Sequence, residues 1–469
     1  MSRAAARPAI YNERMAYGFL TAISRRGTAL AIPGAGCGGP AAQARAPARA
    51  PWEADQGERA WDFAFATGIE CSNPTVAGSD GRGLRRDLLA ECGHYERWRE
   101  DLALVADLRI PCLRYGLPIH RVWLGVDRYD WGFADLAMDE IRRLGITPIL
   151  DLLHFGVPDW IGDCQNPDLP VLFAAYAGAV AERYPWVRFF TPVNEIYVCA
   201  RNSGQDGLWN ERLRSDTGFV TALKHLVAAN LLANAAIERV RADAVIIQSE
   251  SAEYTHHVRA SPAHDIKLRN KLVFTSLDLL YAKSPDADVL MFLMDSGMTR
   301  DEFLWFMRTP AVGFQVMGND YYGRNEHIVL PDGSVHEGED VLGWYLITLR
   351  YFRRYYKPVM HTETNVFDPA SAPMWLWKQW VNVLRMRRDG IPVLGFTWYS
   401  LIDQMDWDIQ LAEPRQRVNA CGLFDLDRRP RPVASAYRDL LREFGDITAL
   451  AHGEMFELTK RESSERSLV

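Results

Sequence analysis

The chain has 469 residues, 48% of them hydrophobic and 24% charged, and a net charge of −7. That composition is globular, and the length suits two or three ordinary domains or one elaborated α/β barrel. No uninterrupted apolar run reaches the ~18 residues that a bilayer span needs. The charge is unevenly placed: residues 1–52 hold seven Arg, no Lys and one acid, Glu13, for +6, which leaves −13 for the remainder. An acidic body argues against a nucleic-acid groove and suits a neutral substrate in a carboxylate-lined cleft.

In chain order, residues 1–58 read as a disordered or low-complexity extension. Gly34-Ala-Gly-Cys-Gly-Gly39 matches G-x-G-x-x-G in form, yet Pro40, Pro47 and Pro51 forbid the helix that a dinucleotide site needs next. Ser24-Arg25-Arg26 precedes a short apolar run, as in twin-arginine export signals, but Pro33 interrupts that run. Seven scattered cysteines (37, 71, 92, 112, 164, 199, 421) without C-x-x-C predict a reduced, cytoplasmic protein, with export through the N-terminus as the alternative.

From 59 to 450 apolar strands alternate with amphipathic helices. The predicted strands are 61–70, 110–115, 147–154, a fourth leading to Glu195, then 244–250, 315–322, 358–363 and 393–400. Helices are predicted over 91–108, 133–144, 169–184, 219–240, 341–356, 375–388 and 433–444. The gap between the fifth and sixth strands holds helical text (265–281, 299–307) and reads as an elaborated connection. Eight strand–helix pairs without a 20–50-residue repeat predict one (β/α)8 barrel, followed by a polar tail over 451–469.

The strand ends carry Glu70, Arg114, His154, Asn194-Glu195, Glu250, Tyr322, Glu363 and, just past the eighth, Asp406. Carboxylates are rarely buried without partners, and in such barrels the carboxyl ends of the strands are where chemistry is done. Two strand-end glutamates are the minimum for cleaving a glycoside with retention: one protonates the leaving oxygen and the other attacks the anomeric carbon. Glu195 and Glu363 fit those roles. Arg114 would keep the nucleophile ionised, Tyr322 would donate to it, and Asn194 would hold the sugar 2-hydroxyl. Trp398, Tyr399 and Trp407 offer faces for stacking on sugar rings. No cofactor and no metal is expected, since His256-His257 and His264 sit in a polar loop without ligand spacing.

These motifs resemble glycoside hydrolase family 1, the β-glucosidase and β-galactosidase group of clan A, from about Phe63 to Phe444. Thr191-Pro-Val-Asn194-Glu195 is similar to its acid/base motif and Thr362-Glu363-Thr-Asn365 to its nucleophile motif. His154-Phe-Gly-Val-Pro158 is similar to a segment whose His binds the sugar, and Tyr399-Ser-Leu-Ile-Asp403-Gln-Met-Asp406-Trp407 to the family's eighth-strand motif. The likeness is divergent: a strand-one amide is Glu70, a stacking Trp is Tyr399, a hydroxyl-binding Glu is the shorter Asp406, and Asn is Asp320. The resemblance implies a retaining β-glycosidase with a redesigned sugar subsite, taking a β-linked sugar other than plain glucose, such as one altered at C4 or C6. A transglycosidase using the same site, or a carbohydrate-binding protein that has lost hydrolysis, are the alternatives. The partner expected is a carbohydrate, with neither nucleic acid nor membrane.

Overall fold

Eight short buried strands supply the frame, in this computed structural model of residues 61–258, 263–338 and 340–450. They are β1 Ala64–Gly68, β2 Cys112–Gly116, β3 Thr147–Asp151, β4 Phe189–Thr191, β5 Val245–Ser251, β6 Phe314–Asp320, β7 Val359–Glu363 and β8 Val393–Trp398. All pair in parallel in chain order, β8 returning to β1, so the sheet closes into the expected barrel. Closure removes the unpaired edges that an open parallel sheet would expose. The expectations for 1–58 and 451–469 lie outside the described residues.

Strand alternation divides the apolar residues into two cores. Ala66, Ile149, Val245, Ile247, Val316, Met360 and Leu394 meet inside the barrel as one buried cluster. The intervening residues join a much larger cluster between strands and helices. Every second residue faces inward, so the inward series on β5 runs Val245, Ile247, Ser249, Ser251 toward the carboxyl end. Polarity rises at that end, where the site forms.

The helices are α1 His94–Asp107, α2 Gly132–Arg143, α3 Leu169–Arg183, α4 Ile196–Gly204 and α5 Asp216–Val240. The β5–β6 connection contributes α6 Ala263–Leu272, α7 Thr275–Leu280, α8 Ala287–Asp295 and α9 Arg300–Arg308. Three more follow: α10 Gly343–Tyr355, α11 Ala372–Arg388 and α12 Pro432–Phe444. Local signals set several starts. The Ser215 side chain caps α5 by accepting from Gly218 N, and Pro sits in the first turn of α3, α11 and α12. By length and composition α5 could cross a membrane, but most of its apolar window is buried in the fold.

Several features depart from the expected pattern: β4 stops at Thr191 short of Glu195, and α4 stands where no helix is predicted. The single helix foreseen over 265–281 is two, α6 and α7. Helix α8 was not foreseen, because its Val-Leu-Met-Phe-Leu-Met run lacks a clear helical period. His256 and His257, expected in a loop, lie on a strand, Tyr254–His257, that pairs with Glu326–Val329.

Candidate active site

Glu363 ends β7 and is 4% exposed. Arg114 Nη1 donates to its Oε1, and the Tyr322 hydroxyl donates to its Oε2 at 2.6 Å. The arginine stands on β2. Its Nη2 also donates to Asp151 Oδ2 (2.8 Å) and Asn194 Oδ1 (2.9 Å). His154 Nδ1 lies 2.9 Å from that same Asp151 oxygen, and its Nε2 lies 3.1 Å from Asn194 Nδ2. Arg114, Asp151, His154 and Asn194 therefore form a closed ring of polar contacts beneath Glu363. Burial works against a charge on His154, while Cys71 and Asp151 work for it, and the balance lies well above the usual histidine value.

Glu195 is built differently. It follows β4 in a left-handed conformation, φ 41° and ψ 61°, and opens α4. Such a backbone is uncommon outside glycine and is tolerated where surrounding structure over-determines it. Its amide donates to Ser249 O at 2.9 Å, which fixes the turn against β5. Burial, then the charges of Asp320, Glu363 and Glu250, push its carboxyl well above the usual carboxylate range.

Asp320 closes β6 opposite Glu363 and is completely buried. Its two oxygens lie 2.8 and 2.6 Å from Ser249 Oγ, which donates to them. Burial, then Glu363, drives this carboxyl upward as well, with Arg114 opposing. With Asp151, four carboxyls thus share this end of the barrel with Arg114.

The remaining expected residues divide. Glu70 is buried, accepting from Ser72 N (2.9 Å), from the Ser72 hydroxyl and from Gln404 Nε2 (3.1 Å). Burial, ahead of smaller opposing effects of His154 and Ser72, raises its pKa. Tyr399 lies across β1, where a Cβ on Gly68 would come within 2.4 Å of its ring, so only glycine fits there. Its ring is 7° from parallel to His154, centroids 6.2 Å apart, with Arg114 5.4 Å from its centre. Trp407 borders a cavity of about 840 Å³ that opens over Glu195 and Tyr322, with Tyr197, Asn202 and Arg324 also in its wall. Its indole N–H is buried and has no acceptor among the described residues.

Three residues expected in the site face other partners. Trp398 is core: it is fully buried and donates from Nε1 to Cys421 O at 3.0 Å. The strand β8 ends at Trp398, and Tyr399 lies just past it against Gly68 and His154. Asp406 accepts from Arg86 Nη2 (3.0 Å) and from the amides of Gln416 (3.1 Å) and Arg417 (2.8 Å). Its carboxylate is thereby engaged in holding the loop after β8. Glu250 faces the helices, its Oε2 taking the Tyr197 amide at 3.4 Å, and burial pushes it up to about 8. Sequence reasoning missed Asp151, Ser249, Cys71 and Gln404. The available signal for Asp151 was an acid set between Leu150 and Leu152 in a strand.

Cys71, Asp151 and His154 are close enough together to ligate an ion. Arg114 already supplies the positive charge at Asp151, so the group reads better as part of the hydrogen-bonded floor.

Residues 54–277 match the family model for glycosyl hydrolase family 1. A bifunctional β-D-glucosidase/β-D-fucosidase of Bifidobacterium breve is 26% identical over 248 residues, 49% of this chain and 52% of that protein. A 6-phospho-β-glucosidase of Escherichia coli is 26% identical over 151 residues, 30% of this chain and 32% of that one. The chain thus spans about half or less of the curated relatives it matches. The family 1 β-glucosidase of Thermotoga maritima superposes with a TM-score of 0.67 at 18% identity, over 82% of this chain and 98% of that one, a likeness of fold. The family model and the curated relatives mark residues 54–277 as a divergent glycosyl hydrolase family 1 sequence, and the closed eight-stranded barrel is the fold shared with the Thermotoga maritima enzyme.

Proposed function

We propose that this chain is a retaining β-glycosidase in which Glu363 is the nucleophile and Glu195 the acid/base. The observation that carries the reading is the unlike setting of the two carboxyls. Glu363 receives two donors, Arg114 and Tyr322, whereas Glu195 is buried among other acids, which favours its protonated form.

In the first step Glu363 attacks the anomeric carbon as Glu195 gives its proton to the departing oxygen, leaving a covalent glycosyl–enzyme. In the second, Glu195, now ionised, takes a proton from water, which releases the sugar and frees Glu363. Arg114 orders both Asn194 and Glu363, so nucleophile and 2-hydroxyl contact share one anchor.

The sugar is a β-linked one whose hydroxyls suit Glu70 and Gln404, and plain glucose is a poor fit. A carboxylate only accepts hydrogen bonds whereas an amide also donates, so a Glu70–Gln404 pair offers a different pattern from an amide alone. Relatives named for β-glucosides, β-fucosides and 6-phospho-β-glucosides set the range to survey. The test is a panel of p-nitrophenyl β-glycosides, neutral, 6-deoxy and 6-phospho, followed by nitrophenol release across pH. Turnover of one member supports the proposal; silence across the panel at all pH values contradicts it.

A further inference from the structure

Arg350 and Arg354 stand one turn apart on α10, and only one of them is neutralised. Arg354 makes a two-pronged pair with Asp278, at 2.7 Å from Nε and 2.6 Å from Nη2, and Tyr355 adds a third donor to that carboxylate. Arg350 has no carboxylate partner among the described residues. Its Nη2 donates to Asn270 O at 3.0 Å, and its Nη1 is buried without an acceptor. The guanidinium lies between two rings, 4.8 Å from the centre of Tyr254 and 5.0 Å from that of Phe274.

An uncompensated, partly buried cation is costly unless something pairs with it. Aromatic faces recover part of that cost but leave the charge in place. Burial accordingly draws the Arg350 pKa below its usual value, with Tyr351 and Tyr254 opposing.

This guanidinium borders a cavity of about 540 Å³, walled also by Tyr254, Phe274, Asn270, His257 and Lys267. The acids of that wall are occupied: Asp278 by Arg354, and Asp286 by Lys271 at 3.2 Å. Among the described residues, Arg350 and Lys267 are left without a carboxylate partner over a pocket with apolar sides. The cavity shares Thr255 alone with the lining of the cleft above Glu195.

We propose that this pocket, between α6, the Tyr254–His257 strand and α10, binds a small phosphate- or carboxylate-bearing molecule through Arg350. The planar fork of an arginine matches two oxygens of either group, and the flanking rings suit a ligand with an apolar body. The site is separate from the proposed glycosidase chemistry and can be read without turnover.

The test is titration calorimetry of the whole chain with inorganic phosphate, phenyl phosphate and benzoate, in chloride buffers of matched ionic strength. One saturable site is expected, tighter for phenyl phosphate or benzoate than for phosphate. Arg350→Gln should weaken it about tenfold or more, the size of one charge-assisted hydrogen bond, and Arg350→Lys should weaken it less. Preference for phenyl phosphate over benzoate would mark a phosphate ligand, and the reverse a carboxylate. Circular dichroism checks each fold, and if Arg350→Gln fails to fold, Arg350→Lys carries the comparison. No saturable binding of any probe up to about 20 mM, or unchanged binding in the folded variants, overturns the proposal.

Discussion

The two carboxyls at the mouth of the barrel have the same side chain and different company. Glu363, on β7, faces an arginine from β2 and a phenol that follows β6. Glu195, past β4, has Asp320, Glu363 and Glu250 as its charged neighbours and takes its backbone support from β5. The chemistry of each is therefore set by which strand ends surround it. Under the proposed mechanism, donors gathered on one side and acids on the other would set an attacking group apart from a proton-giving one.

Removing either member breaks that contrast in a different way. Glu363→Gln should have the largest effect, lowering turnover of every substrate by about 10⁴-fold or more, since no other group replaces a nucleophile. Residual turnover within tenfold of wild type would remove Glu363 from the mechanism. Glu195→Ala should cost about 10³-fold on substrates with poor leaving groups. It should leave glycosylation by a dinitrophenyl glycoside nearly intact, with added azide restoring turnover. Equal loss on both substrate classes, without rescue, would assign the proton elsewhere.

Two smaller changes sharpen the comparison. Asp406→Ala leaves the buried Arg86 with Glu91 as its one carboxylate partner among the described residues, so it should cost about 3 kcal/mol of stability in denaturant melts. A raised KM with unchanged stability would instead restore Asp406 to the sugar. Asp320→Asn removes a negative neighbour that helps hold the proton on Glu195. The alkaline limb of kcat/KM should then move to lower pH, by on the order of one unit. An unmoved or upward-moving limb would mean that the two carboxyls do not communicate.

Much of this was legible in the chain because a barrel strand announces its end. An apolar run that stops at Asn194-Glu195 or at His361-Thr-Glu363 places a costly carboxyl where only pairing or chemistry sustains it; the structure ends β7 at Glu363 and sets Glu195 four residues past the end of β4. The strand end at β8 was harder to read: Trp398 is the last strand residue and packs in the core, whereas Tyr399 just past it meets Gly68 and His154. Asp151 looked like strand interior because its reason for being buried, Arg114, lies on the next strand. Asp406 sits in a loop, where no periodicity governs direction, and Arg86, 320 residues away in sequence, decides its orientation. Arg350 gives no sequence signal: what distinguishes it from Arg354 is that, among the described residues, folding brings an acid to Arg354 and none to Arg350.

The division of labour between Glu363 and Glu195 is most directly tested by trapping the covalent intermediate. The full chain is incubated with 2-deoxy-2-fluoro β-glycosides carrying dinitrophenol, using the sugar that the nitrophenyl panel selects, and then examined by intact and peptide mass spectrometry. The account predicts one fluoroglycosyl group per chain, on Glu363, and none on Glu195. A label on Asp320, Asp151 or Glu195, or an unlabelled protein that still releases dinitrophenol, would contradict it.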